Sequence, residues 1–138
     1  MSAAGVQAQI IARLLDQRRT WVPLPDCGIE VQVQRPAEAE MQPYLVQGDD
    51  GRTTLRAALP QVQGCVVGWR RMADGKPASV TEADLLGAAI GSDEAVPFDA
   101  GLWAVLVADR HAWVQAVAQA VLQAINDHYQ AQADARGN

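Results

Sequence analysis

The composition of this 138-residue chain is that of a single soluble globular domain, because 49% of its residues are hydrophobic and 20% are charged. Its net charge of −5 and its single lysine, Lys76, argue against a nucleic-acid-binding surface, which needs clustered basic residues. The sequence has no apolar run of about 18 residues and no secretory-signal pattern, so we expect a cytoplasmic protein that does not contact a membrane.

The first segment predicts an amphipathic helix. Apolar residues recur at helical spacing from Val6 to Leu15, and glutamines and Arg13 separate them. Such a stripe packs either on the rest of the domain or on a partner. We therefore divide the chain into an N-terminal amphipathic helix (residues 1–20), one globular domain (residues 21–131) and a flexible polar tail (residues 132–138).

After this helix, the spacing of apolar residues changes from helical to alternating, which predicts a β-hairpin. Ile29, Val31 and Val33 alternate with polar residues, which is the pattern of a half-buried strand that ends at Pro36. Residues 21–24 are the predicted partner strand, joined to it by the turn PDCG.

The remaining segments predict helices. Residues 37–46 permit a helix, and residues 53–67 have helical spacing, although Pro60 threatens a break. Thr81, with Asp84 three residues later, predicts the capped start of a short helix that ends at Gly91.

Two further helices are predicted near the C-terminus. Asp99 and Asp109 are their expected N-caps. The second helix keeps an apolar stripe, formed by Trp113, Val117, Val121, Ile125 and Tyr129. The predicted fold is therefore mainly α within the α+β class, a compact helical domain with a small N-terminal β-hairpin.

No group of residues predicts catalysis or metal binding. His111 and His128 are 17 residues apart on one predicted helix, about 25 Å along its axis, so they cannot share a metal ion within one chain. Cys27 and Cys65 lack a neighbouring basic residue that would activate a thiol. We expect a protein that is not an enzyme and binds no cofactor or metal.

The four tryptophans are unusual in a chain with only 5% aromatic residues. Three of them fall on predicted inward faces, which favours a core role, but tryptophan is also enriched at binding hot spots. Together with the two apolar stripes they give the candidate partner-binding residues, which are Ile10, Leu14, Trp69, Trp103, Trp113, Val117 and Val121.

The stretch VVGWRRMADGKPASVTEADLL carries a family resemblance. A predicted helix runs into a tryptophan (CVVGW), a D-G turn follows (ADGKP), and a capped helix start comes next (ASVTEADLL). With the closing segment FDAGLWAVLVADRHAWVQAVAQAVLQAI, this order resembles the bacteriophage tail assembly chaperone family over residues 29–129. The N-terminal helix and Pro60 depart from the family pattern.

The resemblance implies a non-catalytic role in the host bacterial cytoplasm. Such chaperones hold the tape measure protein before the tail tube polymerises around it, and they are absent from the finished particle. A frameshifted longer product would recruit the tail tube protein, and we also expect homo-oligomers. The alternatives are a neck or tail-completion protein that stays in the particle, which a low helix content would favour, and a small regulatory protein-interaction domain.

Overall fold

The computed structural model describes residues 2–137 as an α+β fold in which 49% of the chain is helical and 22% is strand. Its helices are α1 (Ala3–Asp16), α2 (Leu59–Cys65), α3 (Glu82–Leu86), α4 (Ala100–Ala108) and α5 (His111–Arg136). Its strands are β1 (Arg19–Pro23), β2 (Ile29–Gln34), β3 (Leu45–Gln47), β4 (Thr53–Leu55), β5 (Val66–Ala73) and β6 (Lys76–Ala78). The prediction of a mainly α fold with a small N-terminal hairpin is therefore wrong.

A four-stranded antiparallel sheet accounts for the difference between the predicted and the observed fold. Its order is β1-β2-β5-β6, while β3 and β4 form a separate two-stranded sheet. The first element of the chain is the helix α1, and the predicted hairpin of β1 and β2 is half of this larger sheet. Val31 lies opposite Val22 on one side and Trp69 on the other, so cross-strand apolar pairs fix the register.

The segment from residue 53 to residue 67 is not one helix. It contains β4, then α2, and then the start of β5. Pro60 is the second residue of α2, where a missing N–H costs nothing, and the Ala58 N–H donates to the Gln61 side chain at 3.0 Å. The β-branched pair Val66 and Val67 then enters the sheet beside β2, because paired strands suit such residues.

The segment of residues 37–46 is also not a regular helix. Two 3₁₀ turns, Glu38–Glu40 and Gln42–Tyr44, lead directly into β3. Pro43 falls in the second turn and has no N–H for a continuing helix.

The predicted start of α3 is confirmed, but its predicted end is wrong. The Asp84 N–H donates to Thr81 Oγ1 at 3.2 Å, and the Thr81 N–H donates to Asp84 Oδ2 at 2.8 Å. The helix stops at Gly87, whose φ of +93° suits only glycine, rather than at Gly91. Gly91 instead packs against the backbone of α3, since an added Cβ would lie 2.6 Å from Glu82 backbone atoms.

The two C-terminal helices form as predicted, except that both ends of α5 differ from the prediction. Asp99 caps α4 by accepting from the Leu102 N–H at 2.8 Å. The N-cap of α5 is Arg110 rather than Asp109, and it makes no side-chain cap. At its other end, α5 continues to Arg136 through most of the predicted polar tail.

The core lies between the four-stranded sheet and the helices α2, α4 and α5. Trp103 is fully buried, stacks on Trp113 at 6.1 Å between ring centroids, and donates its indole N–H to the Val62 carbonyl at 3.2 Å. The α5 stripe of Val117, Val121 and Ile125 is fully buried as well. Within residues 2–137, no helix is both long enough and apolar enough to cross a membrane.

Candidate partner-binding surface

Helix α1 carries an apolar stripe that nothing in the described chain covers. It contributes no buried residue to the core. Its large apolar side chains are half exposed, with Val6 at 42%, Ile10 at 52%, Ile11 at 58% and Leu14 at 49%. Because they follow one another at helical spacing, they form one contiguous face, which we call the α1 stripe.

Helix α1 needs a packing partner for its apolar stripe in order to be stable. A helix of 14 residues is about 21 Å long, and an isolated helix of this length is marginal in water. Ser2 caps its first turn by accepting from the Gly5 N–H at 3.1 Å, which helps by about 1 kcal/mol. Contiguous exposed apolar surface of this kind is typical of interaction sites in soluble proteins.

The structure separates the seven predicted partner-binding residues into two groups. Ile10 and Leu14 lie together on the exposed α1 stripe. The other five lie in or against the core: Trp69 is half buried, and Trp103, Trp113, Val117 and Val121 are buried. The buried four offer no surface to a partner.

Trp69, the tryptophan of the family-like stretch, has a packing role. Its indole N–H donates to the Val96 carbonyl at 2.9 Å, and its ring meets Phe98 edge-on at 5.3 Å. It thereby ties strand β5 to the segment that precedes α4. The stretch around it is a joint between the sheet and the C-terminal helices.

A groove lined with arginines lies at the C-terminal end of α1. Its volume is about 380 Å³, and it lies between the start of β1, the residue after β2, and α5. The lining residues are Gln17, Arg18, Arg19, Thr20, Arg35, Ala124, Asp127 and His128. We call it the arginine groove.

The three arginines of this groove lack carboxylate partners. Arg19 Nε donates to Gln34 Oε1 at 2.8 Å, and Arg35 Nη1 donates to the Pro36 carbonyl at 3.1 Å. Within residues 2–137, no carboxylate lies at salt-bridge distance from Arg18, Arg19 or Arg35. Burial, and then the positive charge of Arg18, lower the pKa of Arg35. The negative charge of Glu38 acts on the pKa of Arg35 in the opposite direction, so the charge of this cluster is only partly offset.

The carboxylates near the arginine groove are engaged elsewhere. Glu38 Oε1 lies 3.8 Å from His128 Nε2 and accepts from Gln132 Nε2 at 3.2 Å. Asp127 Oδ1 accepts from Gln123 Nε2 at 2.8 Å. Asp127 lines the groove and Glu38 acts on Arg35, so these two acids offset part of the charge of the three arginines and leave it positive.

Sequence reasoning did not find the arginine groove. The doublet of Arg18 and Arg19 directly after an amphipathic helix is visible in the sequence, but Arg35 is 17 residues from Arg18. The hairpin of β1 and β2 brings them together, with the Arg35 N–H donating to the Arg18 carbonyl at 2.7 Å. Only the pairing of those strands reveals the cluster.

Trp21 lies on an outer surface of the four-stranded sheet. It lies on the sheet face opposite the core residues of β2, and the Arg70 guanidinium stacks on its ring at 4.0 Å. Arg70 also pairs with Glu30 at 2.7 Å. This arginine is therefore already satisfied within the sheet, unlike those of the groove.

The thiols and histidines form no reactive cluster in the described chain. Burial raises the pKa of Cys65 to about 12, so its thiol stays protonated at neutral pH. Cys27 is exposed and free. Among residues 2–137, no three His, Cys, Asp or Glu side chains are grouped to hold a metal ion.

The α1 stripe and the arginine groove are thus two neighbouring surfaces that the described residues leave open to a partner. No protein-family model, curated protein or solved structure matches this chain.

Proposed function

We propose that this chain is a non-catalytic binding protein whose α1 stripe covers the apolar face of a helical client. The observation that supports this is the absence of any buried residue from an amphipathic helix with a formed N-cap. Amphipathic helices recognise one another through anchors at i, i+3, i+4 and i+7, and the α1 stripe has this spacing.

We further propose that the client is the tape measure protein of a long-tailed phage or prophage. On this view the chain is a tail assembly chaperone that acts in the host bacterial cytoplasm. The support is the resemblance of the segment from Trp69 to α5, together with a surface suited to hold an extended helical protein in solution. The tail tube protein and self-association remain parts of the same proposal.

The exposed stripe can contribute several kcal/mol to binding. Full burial of a Val, Leu or Ile side chain contributes about 1.5–3 kcal/mol, and half of each stripe residue is still exposed. Covering Val6, Ile10, Ile11 and Leu14 would therefore contribute about 1 kcal/mol per residue. A client with many helical turns can bind several copies of this chain, and each copy would contribute this free energy separately.

Co-expression with the tape measure protein encoded beside this chain tests the proposal. We expect a soluble complex that forms with the wild-type chain and is lost with Leu14→Asp. The matched control is Val105→Asp, because Val105 is 71% exposed on α4, outside the α1 stripe. A tape measure protein that is equally soluble alone and never co-purifies would contradict the proposal.

A structural component of the phage particle is the second candidate. The four-stranded sheet favours it, because neck and tail-completion proteins carry more β-structure than tail assembly chaperones. Mass spectrometry of purified particles distinguishes the two. A chaperone is absent from finished particles, whereas a neck component is present in a fixed number of copies.

A further inference from the structure

We propose that the arginine groove selects a client helix that carries carboxylates beside its apolar stripe. The α1 stripe would hold the apolar face, and the arginine groove would take acidic side chains at one end of the same helix. This inference rests on the proposed client-binding role of α1 and specifies the chemistry of the partner.

The two surfaces are continuous. Val6, Ile10, Leu14 and Arg18 follow one another at intervals of four residues. The Arg18 N–H donates to the Leu15 carbonyl at 3.0 Å, which keeps Arg18 within the turn that ends α1. A helix lying along the α1 stripe therefore reaches Arg18 at the end of its path, and the Arg18 carbonyl accepts from the Arg35 N–H at 2.7 Å, so both arginines line the groove there.

The charges of the groove favour an anionic occupant. Arg18 and Arg35 repel each other, Glu38 offsets part of that charge, and no carboxylate of the described chain lies at salt-bridge distance from either arginine. Carboxylates match the planar donor groups of arginine and form paired hydrogen bonds with them. An acidic client segment would supply those bonds and relieve the repulsion.

When two α1 helices pair, a second copy places no carboxylate directly opposite Arg18, although α1 itself ends at Asp16. In a parallel pair of α1 helices, Arg18 would meet Arg18. In an antiparallel pair, Arg18 would meet the first turn of the other α1, which contains no acidic residue. We therefore assign the groove to a different chain, and light scattering distinguishes that chain from a second copy.

Two synthetic peptides test this inference without the tape measure protein. Both have about 18 residues, long enough to span α1 and reach the groove, and both present the same leucine stripe. One carries two glutamates at each end, and the other carries two lysines at each end. Fluorescence anisotropy with the full chain measures their affinities at about 50 mM and about 300 mM NaCl, because screening weakens ion pairs.

At the lower salt concentration, we expect the acidic peptide to bind at least about tenfold more tightly than the lysine peptide. Arg18→Gln and Arg35→Gln should each reduce this preference, and the double variant should abolish it. Arg52→Gln is the control, because the Arg52 side chain is 86% exposed and distant in sequence from the groove. Ile10→Asn should weaken both peptides alike, because it removes the apolar contact without adding a charge.

Equal affinity for the two peptides, or no measurable affinity for either, would overturn the inference. A dimer that is detected by light scattering and that becomes a monomer in the Ile10→Asp variant would also overturn the inference, since a second copy would then cover α1.

The experiments distinguish failure of this inference from failure of the proposed function. A preference for the acidic peptide without tape measure binding contradicts the proposed function only, and tape measure binding that is unchanged in the arginine double variant contradicts the inference only.

Discussion

Alanine substitutions should separate the α1 stripe from the core by their effect on stability. Ile10→Ala and Leu14→Ala remove side chains that are 52% and 49% exposed on a helix without buried residues. Alanine also has the highest helix propensity. Each substitution should therefore change the free energy of unfolding by less than about 0.5 kcal/mol.

Val121→Ala should behave differently, because Val121 is fully buried on α5. It removes two buried methyl groups and leaves a cavity, at a cost of about 2 kcal/mol. For a domain of this size, that loss lowers the melting temperature by about 8 °C.

Urea unfolding followed by tryptophan fluorescence measures all three variants, since Trp103 and Trp113 are buried beside α5. The measurement should be made at two protein concentrations, so that any dimer would be detected by a shift of the midpoint. A loss above about 1.5 kcal/mol for Ile10→Ala or Leu14→Ala would refute the reasoning, because it would show that α1 packs on the domain in solution.

Three further outcomes are expected. Gly91→Ala should cost about 1–3 kcal/mol by thermal unfolding, because its Cβ would lie 2.6 Å from Glu82, whereas Gly64→Ala in α2 meets nothing within 4 Å and should not destabilise. Thr81→Ala should cost about 1 kcal/mol through the lost cap of α3, and an unchanged midpoint would contradict the capping role. Stability should fall as the pH rises from about 9 towards 12, because burial raises the pKa of Cys65 to about 12 while the unfolded thiol ionises near its ordinary value of 9.0. Tyr44 adds to the fall above about pH 10, because burial raises its pKa from 10.0 to about 12. Cys65→Ala should weaken that fall, and an equally steep fall would refute the assignment to this thiol.

Local signals predicted some elements correctly. The caps Thr81 and Asp99 lie within three residues of the N–H groups that they bind, so the sequence alone contains the whole interaction. The alternation in β2 is likewise local, and its apolar residues are buried as predicted.

The other elements depend on pairing between strands that are far apart in the sequence. Val31 pairs with Trp69, which is 38 residues away, and no local signal identifies that partner. The apolar residues of the segment from 53 to 69 also match a helical spacing, and the sheet overrides it.

The candidate surface was partly predictable for the same reason. The amphipathic pattern identified Ile10 and Leu14, but an identical pattern on α5 belongs to the core. Helical spacing shows that a face is apolar and does not show whether the chain covers it. The arginine groove required the hairpin of β1 and β2 to bring Arg18 and Arg35 together.

Hydrogen exchange of α1, with and without the tape measure protein, tests most directly the claim that the α1 stripe holds a helical client. In the free chain, the amides of Ala3–Asp16 should exchange much faster than those of α5, because no tertiary packing protects them. In the complex, the exchange of the α1 amides should slow by at least about tenfold, while α5 stays unchanged. A complex that forms with α1 still unprotected, or an α1 already as protected as α5 in the free chain, would contradict the account.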